Sequence, residues 1–383
     1  MTKFPIDKFK DLETPFYYYD KKVLDATLDT LQAELRKHPG YHLHYAIKAN
    51  ANIDVLKEIQ RAGFGVDAVS GGEIQQALDA GFDASKIVYA GVGKGDWEIN
   101  LGLDAGIFCF NVESLEELRI INSLANAKGK TARVCFRINP NVGAHTHANI
   151  TTGLAENKFG IAMEDMETAI READELSNIE FIGLHFHIGS QILEMDDFVA
   201  LSARINELQD RVEAQGIVVK NINVGGGLGI DYKDPDANPI PEFGKYFDTY
   251  AKNLKLREGQ QLHFELGRAV VGQMGSLITR ILYVKHAHVK KFAIVDGGMS
   301  DLIRPALYDA HHKIQNLSNT DTDNVEVYDV VGPICESSDV FGKFERLPLC
   351  HRGDFIALRS AGAYGEIMAC QYNCRRLPKA YLM

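Results

Sequence analysis

Residues 42–47 alternate strictly. Leu43, Tyr45 and Ile47 fall between His42, His44 and Ala46, a period of two that predicts a strand. A helical pattern over 23–37 leads into it, and the same exchange then recurs along the chain. Helical stretches over 52–62, 71–81 and 95–105 lead to the apolar runs FGVDAV, IVYAG and IFCFN. The next helix, 114–127, has Asn111 or Ser114 as candidate cap, with Glu117 at the capping-box offset from Ser114. It precedes ARVCFRI, and further strands fall at IEFIGLHFH, VVKNINV and QLHFEL. About eight strands separated by helical segments predict an α/β fold built on a (β/α)8 TIM-type barrel, here over residues 25–270.

Three stretches break the rhythm. Residues 139–160 read as a long loop before a helix at 163–176, and residues 231–243 as a surface excursion rich in Pro and Asp. After residue 270 alternating strands such as LITRILYVKHAHV, KFAIVDG, VEVYDVVG and DFIALRS run without regular helices between them. They predict a mostly antiparallel C-terminal β domain over 271–383. The aromatic strand in PFYYYD, within residues 1–24, is expected to join it, making the barrel an insertion between two parts of one β domain.

Composition narrows the partners. Against 41 basic residues stand 52 acidic ones, a net charge of −11 with no basic stripe, which argues against nucleic acid or an anionic membrane. The N-terminal segment lacks the apolar core of a signal peptide and no apolar run reaches membrane-span length, so a cytoplasmic protein is expected. Six cysteines without a CxxC pair are expected to be reduced thiols. Four His-x-His pairs (42/44, 145/147, 185/187, 286/288) suggest metal at first sight. Alternate strand positions share a face, however, and no HExxH or carboxylate spacing completes a site, so no metal is expected.

In barrels of this type functional residues gather at the C-terminal strand ends. Lys48 ends the first strand, and Asp67 lies near the end of the second, with Ser70 and Glu73 beyond it. Arg137 is on the fifth; His187, Gly189 and Ser190 end the sixth. The run Gly225–Gly229 follows the seventh and Glu265–Arg268 end the eighth. A lysine at a buried strand exit loses solvation, which lowers the amine pKa toward its nucleophilic form; alternatively its ammonium snorkels to water. Glycines such as Gly226 and Gly227 let the backbone approach a phosphate, with Ser190 and Arg268 as further donors; a tight turn would also explain them. An amine, a phosphate cradle and a carboxylate on one rim point to pyridoxal 5'-phosphate. Lys48 would bond it, Glu265 would face its pyridine nitrogen, and His187 would lie against the ring or else be a core histidine bonded to a carbonyl.

The segments YAIKAN, VDAVSGGE, NKFGI, HFHIGSQ, GGGLG, ELGR, DGGMSDLIRPALYDA, GPICESSD and GAYGE together resemble the diaminopimelate decarboxylase family. That family belongs to the fold-type III pyridoxal-phosphate group, with ornithine decarboxylase and alanine racemase. The likeness runs from PFYYYD to YNCRRLP. It implies cofactor contacts at Lys48, Asp67, His187, Ser190, Gly226, Gly227, Glu265, Gly267, Arg268 and Tyr364. It also implies substrate contacts at Arg268, Arg304, Tyr308, Glu336 and Tyr364, and catalysis by Lys48 and by Cys335 as proton donor. Cys335 and Glu336 would enter the site from the second subunit of a head-to-tail homodimer. Many relatives carry proline where this chain has Leu266, and no role is assigned to His145-Thr146-His147.

The implied reaction is decarboxylation of meso-2,6-diaminopimelate to L-lysine. Glu336 would take the distal ammonium and Arg304 the distal carboxylate, unless Arg304 is a surface residue before Pro305. Decarboxylation of ornithine, lysine or carboxynorspermidine, or a cofactor-binding regulator without turnover, are the alternatives.

Overall fold

The structure, a computed structural model, describes residues 4–143 and 158–383. The His145–His147 segment lies outside the described residues. Contacts divide the chain into two compact units, Leu28–Gly229 with Glu242–Gly267, and Met1–Thr27 with Ile230–Pro241 and Arg268–Met383.

The first strand, β1 (Phe16–Tyr19), belongs to the second unit. The barrel unit contains β2 (Tyr41–Ala46), β3 (Gly65–Ala68), β4 (Ile87–Tyr89), β5 (Cys109–Val112), β6 (Ala132–Asn139), the short β7 (Ile161–Ala162), β8 (Ile179–His185), β9 (Asn221–Asn223) and β10 (Gln261–Leu266). The parallel order β5-β4-β3-β2-β10-β9-β8-β6 closes through pairing of β5 with β6, and β7 extends β6. This is the eight-stranded barrel expected from the patterning.

The helices between follow from their caps and apolar stripes. Ser70 Oγ accepts the Glu73 N–H to start Gly71–Asp79, and Ser114 Oγ accepts the Glu117 N–H to start Leu115–Ala127. Glu117 does not return the bond to Ser114; it accepts from the Glu113 N–H at 2.8 Å while pairing with buried Lys94. Asn111, the other candidate cap, points into the barrel instead. The helix Phe243–Asn253 is pinned to β10 by aromatic packing, with Phe247 and Tyr246 rings 4.9 and 5.6 Å from that of Phe264. Such pairs contribute about 0.5–1.5 kcal/mol each beyond area burial, holding the strand that carries Glu265.

The second unit is the mostly antiparallel β domain. It holds β11 (Gly275–His286), β12 (Lys291–Val295), β13 (Ile314–Asn316), β14 (Val325–Val331), β15 (Val340–Pro348), β16 (Phe355–Leu358) and β17 (Lys379–Leu382). The N-terminal strand joins it: β1 pairs antiparallel with β11 and parallel with β17. Phe9, Phe16, Tyr18, Ile278 and Phe355 form its buried cluster. Ile230–Pro241 also belongs here and not to the barrel stretch 25–270. Gln273 Nε2 donates to the carbonyls of Asp231 and Asn238, Arg359 pairs with Asp236 at 3.0 Å, and Lys313 with Asp234 at 3.1 Å. Backbone and charge satisfaction fix this excursion, and neither leaves a period in the sequence.

Candidate active site

Lys48 lies just past β2 on a single 3-10 turn, Ile47–Ala49. Its Nζ donates to Asp67 Oδ2 at 3.0 Å. Asp67 ends β3 fully buried, and its Oδ1 has no hydrogen-bond partner. Burial first, then the neighbouring Glu265 charge, push its pKa up to about 6 against the pull of Lys48. Lys48 thus faces a carboxylate able to hold a proton near neutral pH.

Glu265, on β10, is surrounded by donors. Asn223 Nδ2 and Asn111 Nδ2 reach Oε1 at 2.7 and 3.2 Å, and His185 Nε2 reaches Oε2 at 3.0 Å. Burial alone would raise its pKa, but His185 and Lys48 hold the group ionised, well below the usual carboxylate range. A carboxylate has about four acceptor positions, so three donors leave one for a further N–H. The Asn223 amide is oriented by the Gly225 N–H, which donates to its Oδ1 at 2.9 Å. The glycine run and the Glu265 carboxylate are therefore wired through one side chain.

The run is crowded. A Cβ on Gly226 would lie 2.0 Å from the Glu265 carbonyl oxygen, and one on Gly225 2.5 Å from that of Phe186. Gly225 and Gly227 also have φ of +69° and +108°, a region that favours glycine. Two of the N–H groups expected to face a phosphate are engaged within the chain: Gly225 on Asn223, and Gly226 on His187 Nδ1 at 3.3 Å. His187 Nδ1 therefore accepts from backbone. Burial, then the Arg137 and Lys48 charges, keep its ring neutral. Arg137 pairs with buried Glu113 at 3.1 Å, and Glu113 also accepts the Gly160 N–H.

Glu73 accepts the Val69 N–H at 2.7 Å, and burial pushes its pKa up to about 7. A folded-state value above the ordinary 4.5 means that the folded protein binds a proton the unfolded chain releases. Stability is accordingly lost as pH rises from 4.5 to 7. Glu73→Gln keeps the acceptor and removes the charge. It should exceed the parent in stability by about 2 kcal/mol at pH 8 and match it at pH 4.5, read from denaturant melts at both. A constant difference across pH would refute this.

In the β unit, Arg268 Nη1 donates to the Tyr232 hydroxyl at 2.6 Å and its guanidinium lies 4.8 Å from the Tyr364 ring centre. Tyr364 itself takes a φ of +56°. Arg304 is 6% exposed, which removes the surface reading, and donates to His312. Cys335 and Glu336 lie on the exposed surface, where Cys335 N–H donates to Asn373 Oδ1 and Glu336 accepts from the Tyr372 hydroxyl. The cysteines are all free thiols. No helix of the described residues is long and apolar enough to cross a membrane.

The barrel unit brings together Lys48, Asp67, His187, the glycine run and Glu265. The same cluster contains three residues with no expected role in the site, Asn111, His185 and Asn223. Each is a polar side chain at a buried strand position in an apolar run, and that mismatch is the signal by which they could be found. His42 and His44 stack on His263. An amine beside an orphaned buried oxygen, and a carboxylate with one acceptor position left, suit a pyridoxal phosphate with its carbonyl at Lys48 and ring nitrogen at Glu265.

Residues 24–272 match the family described as pyridoxal-dependent decarboxylase, pyridoxal binding domain. The chain is 67% identical to a diaminopimelate decarboxylase of Bacteroides thetaiotaomicron over 378 residues, 99% of this chain and 97% of the other. A crystal structure of the Helicobacter pylori diaminopimelate decarboxylase complexed with L-lysine superposes with a TM-score of 0.92 at 37% identity, covering 98% of this chain and 93% of that one. A lysine/ornithine decarboxylase of Vibrio vulnificus, at 20% identity and a TM-score of 0.85 over 99% of this chain and 96% of that one, shares the fold.

Proposed function

The chain belongs to the diaminopimelate decarboxylases among the pyridoxal-dependent decarboxylases, and from this we propose that it converts meso-2,6-diaminopimelate to L-lysine and CO2, the last step of lysine biosynthesis. The observation that carries the reading is the pairing of Lys48 with the buried Asp67 beside an ionised Glu265 that accepts three hydrogen bonds. Bound pyridoxal phosphate supplies an electron sink for the charge left when the carboxylate departs.

The chain's residues do the rest. Lys48 would hold the cofactor through its amine, with Asp67, 3.0 Å from that amine, as the group that takes or gives its proton. Glu265 keeps a proton on the ring nitrogen and so deepens the sink. His187 would contact the ring; Ser190, Gly226, Gly227, Gly267 and Arg268 would hold the phosphate, and Tyr364 would be a further cofactor contact. Cys335 returns a proton to the α-carbon. Arg304 and Tyr308 grip carboxylate, and Glu336 the distal ammonium.

The assembly is a cytoplasmic homodimer in which Cys335 and Glu336 act on the partner's substrate. Their exposure supports this, because it leaves both side chains accessible to a second protomer. Mixing Lys48→Ala with Cys335→Ala protein should restore part of the activity that each lacks alone; confirmed heterodimers without recovery would exclude the shared site.

The deciding experiment measures CO2 release from meso-diaminopimelate, ornithine, lysine and arginine with pyridoxal phosphate present. Strong preference for diaminopimelate is expected. Preference for ornithine or lysine would discard the Glu336 and Arg304 assignments, and binding without release would make the protein a regulator.

A further inference from the structure

Arg304 opens a short helix, Arg304–Tyr308, with its guanidinium almost wholly out of water. Buried cations are ordinarily paired with carboxylates. Among the described residues no carboxylate pairs with Arg304. Its Nη1 donates instead to His312 Nε2 at 2.9 Å. The His312 ring is itself fully buried, and its Nδ1 lies 2.8 Å from the Arg359 carbonyl oxygen. A carbonyl can only accept, so the ring proton sits on Nδ1 and the lone pair on Nε2 faces the arginine. Burial first, then the Arg304 charge, push the His312 pKa down to about 3, which keeps that arrangement through neutral pH.

Tyr232 completes the setting. Its ring centre is 4.9 Å from the Arg304 guanidinium, and its ring stands nearly perpendicular to that of His312 with centroids 5.3 Å apart. Tyr232 thus packs against both the guanidinium and the histidine that bonds it, and brings no negative charge. An aspartate in place of His312 would orient Arg304 equally well but would neutralise it.

We propose that His312 is a positioning residue for substrate recognition: as a neutral acceptor it aims the Arg304 fork while leaving its full charge for the carboxylate that the substrate keeps. This rests on the reading of Arg304 given above and adds a determinant of specificity to it. His312 and the Tyr232 hydroxyl take only part of the five guanidinium N–H groups, and those that remain can meet a carboxylate.

The test separates carboxylate recognition from general damage by comparing two ligands of one chain length. L-lysine carries a carboxylate; cadaverine, 1,5-diaminopentane, carries none. Each is titrated against the cofactor-loaded protein, with the absorbance of the bound cofactor as readout. His312→Asn retains a donor for the Arg359 carbonyl and removes the acceptor from Arg304. His312→Gln places an amide oxygen close to the position of Nε2. The expected result is about tenfold weaker lysine binding in His312→Asn, the loss of one charge-assisted hydrogen bond, with cadaverine unchanged. His312→Gln should bind lysine nearly as the parent does. Equal loss of both ligands, or identical behaviour of the two variants, would overturn the role. If the parent binds lysine and cadaverine alike, the reading of Arg304 itself falls and His312 with it. If the parent discriminates and His312→Asn still does, only His312 is excluded.

Discussion

Lys48→Ala should reduce decarboxylation at least about 10^3-fold and leave no cofactor that borohydride can fix to the chain. The amine is held at the exit of β2 with Asp67 Oδ2 3.0 Å away, and alanine offers nothing to bond the cofactor or to exchange with the substrate amine. The fold should survive. Asp67 would lose its cation, but its pKa already stands at about 6 and would move higher, so it takes up a proton instead of burying a bare charge. A thermal melt within a few degrees of the parent, together with lost turnover, is the expected pair of results. Retained turnover would exclude Lys48 as the cofactor's partner.

Glu265→Gln carries the second large effect, a fall in kcat of about 10^2–10^3-fold, the scale on which removal of a preorganised charge partner acts. Two causes combine. A neutral amide cannot hold a proton on the ring nitrogen, so the electron sink weakens. The pocket is also built for an acceptor on every side, with Asn111, Asn223 and His185 all presenting donors. A glutamine must turn its own NH2 toward one of them, and Asn223 cannot rotate to accept because the Gly225 N–H holds its oxygen. Stopped-flow absorbance of the bound cofactor would show the loss directly. A shift in KM with unchanged kcat would mean that Glu265 serves binding alone.

The barrel and its rim were legible because both depend on period. Strand alternation located Lys48, Asp67 and Glu265, and parallel strands then set their ends on one rim without further information. Asn111, His185 and Asn223 escaped for the opposite reason. A polar residue among apolar strand positions stands out as a mismatch, but only closure of the sheet tells one that fills a barrel from one that points to solvent or caps a helix. Arg304 shows the same limit, since burial decides between recognition and surface and no local pattern encodes it. The excursion Ile230–Pro241 was visible as an interruption, but its hydrogen bonds to Gln273 and Arg359 come from residues distant in sequence.

The pairing of β1 with β11 and β17 has a consequence for synthesis in the cell. At roughly 5–20 residues per second, the aromatic run Phe16–Tyr19 leaves the ribosome tens of seconds before either partner strand exists. The barrel stretch cannot close until β10 has been made, only a few residues before β11, and throughout that interval four consecutive aromatic residues wait with unpaired backbone edges, an open template for another nascent chain. Yield in a heterologous host should therefore depend on chaperone supply and growth temperature more than on the stability of the finished protein.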